Sequence, residues 1–418
     1  MKKPLIMSRY ILLLTILSVF SCKQEVSQQT KETKALKVGT YRALLEVQDD
    51  ELLPFIFEVV SKDELKIYNA EEIIEVDEIL YKNDSVFITT PVFEGYIAAA
   101  FKGDNLQGSF IKESLNRVVP FAAEYGELGS IKRFETSKKS TSDVTGIWET
   151  TFSPGIEGDE YIAKGIFKQT GNSVTGTFRT TTGDYRYLEG TVDGETMKLS
   201  TFDGAHAFLF TAKVTDTTLE GTFYSGNHWK EPFIAKRNAD YELPSANELT
   251  FLKEGYDSID FTFPNTSDEL VGLKDDRFKD KVVVVQIMGT WCPNCLDESK
   301  YYADYYKKNK DKDIEFIALA FEYAKDKESA FSRIDRLASR INIEYPILLA
   351  QYGSSSKAKA NEKLPMLNHV LSYPTSIFID KKGKVRKIHT GFNGPATGKK
   401  YIEFKSEFES FVNQLLSE

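Results

Sequence analysis

The sequence predicts a multidomain chain in which two all-β blocks, each sandwich- or barrel-like, precede an α/β domain. Three observations carry that reading. Residues 36–134 and 144–238 break into short runs of period-two alternation separated by Gly, Asn and Asp. Beyond residue 249, unbroken β-branched runs alternate with helical periodicity, and a Cys-Pro-Asn-Cys segment, Cys292 to Cys295, follows the apolar run 281–287. Period-two alternation marks antiparallel sheet with one wet face, whereas alternating β and α elements mark a parallel sheet covered on both faces. A length of 418 residues suits two or three cores.

In the β blocks the clearest strands are 175–180, 185–192, 196–202 and 207–214, with a hairpin turn at Val192-Asp193-Gly194-Glu195. The blocks also resemble one another. Gly39-Thr40-Tyr41 compares with Gly146-Ile147-Trp148, Leu106-Gln107-Gly108 with Leu219-Glu220-Gly221, and Pro120-Phe121 with Pro232-Phe233, at offsets of 107, 113 and 112 residues. A near-constant offset over three landmarks predicts an internal duplication. The Lys-, Ser- and Thr-rich stretch 135–143 reads as a linker. Trp148, Tyr185, Tyr187, Phe202 and Phe208 are aromatic enough to line a ligand pocket, although aromatics in small barrels are more often core.

The third block, 249–418, opens with an extended piece at 260–264 and a buried strand at 282–287. A helix runs from the Cys-Pro-Asn-Cys segment to residue 305. Strand 314–320, helix 327–340 and strand 345–349 follow, then an insertion over 351–370. Strands 376–380 and 385–389 flank a hairpin, and an amphipathic helix over 403–416 ends the chain.

Two cysteines three apart in a helical first turn share a face, and the unpaired N–H groups there stabilise a thiolate on the first. The segment therefore predicts a dithiol that opens and closes. Its setting comes from the N-terminus: Lys2, Lys3 and Arg9 precede an apolar run over 10–20 that ends at Ser21-Cys22. This pattern reads as a secretory signal over 1–21, too short to span a bilayer, followed by a tether over 22–35. Cleavage before Cys22 resembles processing of a bacterial lipoprotein, with Phe20 departing from the usual small residue, and implies lipidation of Cys22.

The remaining two cysteines leave none for a structural disulfide and too few for a zinc site, so no metal or other cofactor is expected. Losing the signal takes the formal charge from -9 to -12, which argues against nucleic acid as a partner. His206, His228 and His389 read as structural.

Asp260-Phe261-Thr262-Phe263-Pro264, the strand before Trp291-Cys292-Pro293-Asn294-Cys295, Glu298, and Tyr373-Pro374-Thr375 before a strand together resemble the TlpA/ResA type of membrane-tethered thioredoxin-like oxidoreductase. The resemblance is confined to about 249–418. It implies a thioredoxin-like fold and a protein-disulfide reductase in the bacterial cell envelope, periplasm-facing and held by a lipid anchor. Its partners would be disulfide-containing envelope proteins and a membrane thiol electron donor.

Cys292 is the expected nucleophile and Cys295 the resolving thiol. Trp291, Pro293, Asn294, Tyr373 and Pro374 shape the active site, with Pro374 in a cis peptide. Glu298 is the acid–base candidate, and its glutamine variant is expected to slow turnover more at low pH. Two other readings are a peroxiredoxin-like peroxidase, whose Pro and Thr are replaced here by Val285 and Gly289, and a ligand- or partner-binding envelope lipoprotein with a dithiol oxidase role.

Overall fold

Each β block folds as an up-and-down meander that closes on itself. The first comprises β1 (Gly39–Glu46), β2 (Leu52–Ser61), β3 (Glu64–Asn69), β4 (Glu72–Val76), β5 (Glu78–Lys82), β6 (Ser85–Thr89), β7 (Tyr96–Lys102), β8 (Asn105–Lys112) and β9 (Arg117–Gly126). Sequential neighbours pair antiparallel, and β9 returns to β1. β4 and β5 are one extended stretch broken at Asp77, whose halves pair with β3 and β6 respectively.

The second comprises β10 (Gly146–Phe152), β11 (Tyr161–Thr170), β12 (Ser173–Thr180), the short β13 (Gly183–Asp184), β14 (Leu188–Asp193), β15 (Thr196–Phe202), β16 (Ala207–Val214), β17 (Thr218–Ser225) and β18 (Trp229–Arg237). Here β18 returns to β10 and β11 pairs β12, so the ring is complete. The computed structural model describes residues 34–127 and 131–418, so the signal segment, Cys22 and nearly all of the tether lie outside the described residues.

The sequence landmarks occupy matching strands. Gly39 and Gly146 open β1 and β10, Gly108 and Gly221 sit within β8 and β17, and Pro120 and Pro232 lie in β9 and β18. Both interior glycines have the same reason to be glycine. A Cβ on Gly108 would stand 2.0 Å from the Ala98 carbonyl oxygen, and one on Gly221 2.1 Å from that of Thr211.

The barrels are not separate beads on a linker. Phe202, Ala207, Leu209 and Tyr224, on the outer wall of the second barrel, complete the core of the first, and Phe202 stacks on Phe55 at 4.3 Å. Buried Arg133 donates to the Pro54 carbonyl (3.2 Å) and Ser200 Oγ (3.1 Å) and pairs with Glu189 (3.3 Å), stitching the barrels together. The stretch 135–143 is a strap rather than a free spacer, because Ser137 N–H donates to Asp193 and Thr141 N–H to the Gly194 carbonyl.

The five aromatics do not converge on one enclosed pocket. Trp148 and Phe208 are core, Phe202 faces the other barrel, and only Tyr185 and Phe208 border a common open depression, of about 370 Å³. Tyr185 and Tyr187 also fall in the turn before β14 rather than in a strand.

The third block centres on a five-stranded sheet in the order β23–β22–β21–β24–β25: β21 (Val282–Met288), β22 (Ile314–Phe321), β23 (Ile347–Gln351), β24 (Thr375–Ile379) and β25 (Val385–Thr390). A small hairpin of β19 (Thr262–Pro264) and β20 (Leu270–Gly272) precedes it. The sheet is mixed rather than all parallel. β21, β22 and β23 run parallel through helical crossovers, whereas β24 and β25, joined by the tight turn at 380–384, run antiparallel. Every residue of β21, β22 and β24 is buried, as expected for strands covered on both faces.

The covers are α1 (Pro293–Lys308), α2 (Lys327–Ile341), α3 (Lys357–Lys363) and α4 (Lys399–Ser417). Asp326 caps α2 through Ser329 N–H (2.8 Å), and Asn342, at φ 54°, ends it. Among the described residues no helix is long and apolar enough to cross a membrane.

Candidate redox site

β21 delivers the chain to Met288, and the turn 289–291 carries it into α1 with Cys292 as N-cap and Pro293 at the first helical position. The Cys292 sulfur accepts from Cys295 N–H at 3.3 Å, so one of the helix's orphan donors is aimed at it. The thiol itself donates to the Tyr373 carbonyl at 3.4 Å, and the Tyr373–Pro374 peptide is cis. Cys292 retains 7% exposure and Cys295 none. Burial, reinforced by the neighbouring Cys292 sulfur, pushes the Cys295 thiol well above its ordinary value. One sulfur is thus reachable and the other sheltered beneath it.

Trp291 donates its indole N–H to the Phe321 carbonyl (3.0 Å) and sets its ring edge-on to Tyr373 at 5.6 Å. Asn294 turns away from the sulfurs and donates to the Asp184 carbonyl of the second barrel (3.2 Å).

Glu298 lies on the buried face of α1. Gln286 Nε2 (2.8 Å), Ser376 Oγ (3.0 Å) and Tyr302 Oη (3.2 Å) all donate to its carboxylate, and Gln286 is oriented by Ser299 Oγ (3.0 Å). Burial pushes the Glu298 carboxyl up to about 7 against the pull of those donors. It touches Cys295 only electrostatically, and no hydrogen bond joins it to the sulfur among the described residues.

Two parts of the site left no sign in the sequence. Glu322, fully buried after β22, accepts from Thr290 N–H (2.7 Å) and Thr290 Oγ1 (2.8 Å), pinning the turn before Cys292. Burial raises its carboxyl above the ordinary range. Arg186, in the turn before β14, is buried among carboxylates from three places: Glu72 of the first barrel, Asp203 of the second (3.6 Å) and Asp297 of α1. The sequence places Arg186 inside a strand expected over 185–192, with nothing to mark it as buried. Only the fold shows that this turn is pressed against the dithiol helix.

Residues 253–402 match the Redoxin family. This segment is a redoxin domain. Thioredoxin-like protein YneN of Bacillus subtilis is 28% identical over 151 residues, covering 36% of this chain and 79% of that protein. The thiol-disulfide oxidoreductase ResA of Bacillus thuringiensis subsp. konkukian is 29% identical over 131 residues, 31% of this chain and 66% of its own length. Among solved structures, a putative protein disulfide isomerase from Bacteroides thetaiotaomicron aligns at 21% identity over 42% of this chain and 95% of that one, with a TM-score of 0.30. The redoxin domain is of the thiol–disulfide oxidoreductase type, as its resemblance to ResA implied, and both barrels precede it.

Proposed function

We propose that the chain is a lipid-anchored thiol–disulfide oxidoreductase facing the periplasm, working as a reductant of protein disulfides. The observation that carries the chemistry is the asymmetry of the pair. Cys292 keeps a small remnant of exposure and receives a helix N–H, while Cys295 has none and is held as a thiol.

In the forward direction the Cys292 thiolate attacks a substrate disulfide, forming a mixed disulfide and expelling one substrate thiolate. Cys295 then gives up its proton and attacks the Cys292 sulfur. The second substrate thiol leaves, and the two electrons gained by the substrate disulfide are those lost in forming the Cys292–Cys295 disulfide. A membrane thiol donor restores the dithiol. The anchor rests on the pattern around Cys22, where removal of residues 1–21 and acylation of Cys22 would be read from the mass of the mature N-terminus.

The direction is tested by the redox potential of the Cys292/Cys295 pair, measured by thiol labelling of the full mature chain in dithiothreitol or glutathione buffers. A value near that of thioredoxin, about -270 mV, supports a reductant, and one near about -120 mV makes it a disulfide donor.

Glu298 supplies the proton step in this reading. Below about pH 7 its carboxyl is protonated and glutamine is a near isostere; above it, the carboxylate is a base that glutamine lacks. The Glu298→Gln penalty on turnover is therefore expected to grow as pH rises through 7. This reverses the low-pH sensitivity expected from sequence, because burial moves the titration upward. A penalty constant from about pH 6 to 8.5 would remove Glu298 from proton transfer.

A further inference from the structure

The barrels meet the redox centre from two sides and treat them differently. On the cis-proline side, the turn between β12 and β14 is seated on the domain. Ser372 Oγ donates to the Thr182 carbonyl (2.9 Å), and a Cβ on Gly391 would stand 2.7 Å from the Thr182 carbonyl carbon. The second barrel therefore covers part of the surface beside the cis-proline loop. On the other side, the barrels and the redoxin domain border a partly open cavity of about 250 Å³. Trp291 and Tyr323 border it from the redoxin domain and Lys112, Arg117, His206 and His228 from the barrels. Trp291 immediately precedes Cys292, which does not itself border the cavity.

The charges around this cavity are unbalanced. Its nearby carboxylates already have partners: Glu94 is taken by Arg333 and by Tyr323 Oη (3.3 Å), and Asp203 by His206 (3.3 Å) and Arg186 (3.6 Å). The Arg117 guanidinium, half-buried, hydrogen-bonds to no group among the described residues. The Lys112 ammonium, buried, has a single neutral acceptor, the Ala205 carbonyl at 2.6 Å. Burial pulls Lys112 down to about 8, which is the behaviour of a cation short of counter-charge.

We propose that this cavity is the substrate entrance and binds a carboxylate carried close to the reacting disulfide, on a small compound or an extended acidic segment. The proposal rests on the oxidoreductase reading and deepens it by naming a substrate class. Arg117 and Lys112 hold the carboxylate, and the neighbouring disulfide sulfur is presented to Cys292. The exchange balances as above: one disulfide is reduced to two thiols and the Cys292–Cys295 pair is oxidised.

The test is single-turnover oxidation of the pre-reduced full chain, followed by tryptophan fluorescence. The probes are oxidised glutathione (anionic), cystamine (cationic), hydroxyethyl disulfide (neutral) and a disulfide peptide with Asp beside its cysteines. Each constant is divided by that for dithiothreitol with the same probe. At least one acidic probe is expected to react about tenfold or more faster than the neutral one, with cystamine slowest and the advantage shrinking in salt.

Arg117→Glu is expected to lower the acidic-to-neutral ratio by about tenfold or more, and Lys112→Met to lower it in the same direction. Because a ratio is read, a general loss of activity does not imitate the effect. Preference for glutathione alone assigns the carboxylate to a small compound, and for the peptide alone to a protein segment. Equal constants for all probes, or a ratio unmoved by Arg117→Glu, overturn the entrance and leave the oxidoreductase standing. Reaction with no disulfide overturns both.

Discussion

Replacing Arg186 by alanine is expected to destabilise the folded chain by roughly 3–5 kcal/mol, the usual cost of leaving buried charges without their partner. Its guanidinium is the shared counter-ion of Glu72, Asp203 and Asp297, with Asp184 close enough to feel it. Burial works against the charge on Arg186, but Asp297, Glu72 and the other carboxylates outweigh it and push its pKa up. Lysine should not rescue the loss, because a point charge on a flexible stem cannot fork between carboxylates on three elements.

The pH dependence of the Arg186→Ala defect has a definite sign. Burial raises the Asp184 carboxyl to about 6, with Arg186 opposing the rise, and burial raises Glu72 likewise. A carboxyl whose folded value lies above its unfolded one contributes stability at low pH that is lost as pH rises through the folded value. Asp203 has the opposite sign: burial alone would raise it, but His206 and Arg186 together hold it well below the ordinary range, so its contribution is lost only in stronger acid. Without Arg186 the carboxylates rise further, and the defect should shrink as pH falls from about 7 to 5. Urea midpoints of wild type and variant across that range are the measurement. A midpoint difference that is small, or rescued by Arg186→Lys, would mean the cluster does not hold the three parts together.

Serine at Cys295 is expected to abolish catalytic turnover while leaving the first step intact. Cys292 keeps the N–H of residue 295 and its seat against Tyr373, since both contacts use groups that the substitution retains. The variant should therefore accumulate a mixed disulfide at Cys292, stoichiometric with protein and visible by mass spectrometry under non-reducing conditions, because nothing is positioned to expel the bound thiol. Cys292→Ser should form no adduct. Normal turnover by Cys295→Ser would dismiss the two-cysteine cycle and leave a single-thiol mechanism.

Much of the redoxin domain was legible because its signals are local. An unbroken β-branched run, a cysteine pair at i and i+3, and Tyr-Pro-Thr before a strand each fix nearby backbone, and their elements fall within a few residues of expectation. The largest displacement is α4, which starts at Lys399 rather than residue 403 because Gly398, not a polar cap, ends the preceding turn. Barrel strands were legible for the same reason, since period two is a local property. Closure was not, because alternation states which face is wet and not which edges meet. The site's outer half was least legible: Arg186 lies 111 residues from Asp297 and 114 from Glu72, and no local pattern distinguishes it from a solvated arginine.

The plug that the second barrel inserts into the first sets an order of events for the growing chain. Synthesis runs from the N-terminus, so Phe55 and the other core residues of the first barrel exist before Phe202, Leu209 and Tyr224 have been made. From the completion of β9 until those residues emerge, the older half waits with an unfinished interior and an apolar opening toward solvent. The nascent chain is therefore most exposed to aggregation before its midpoint, and a truncation at the strap over 135–143 would reproduce that vulnerable state permanently.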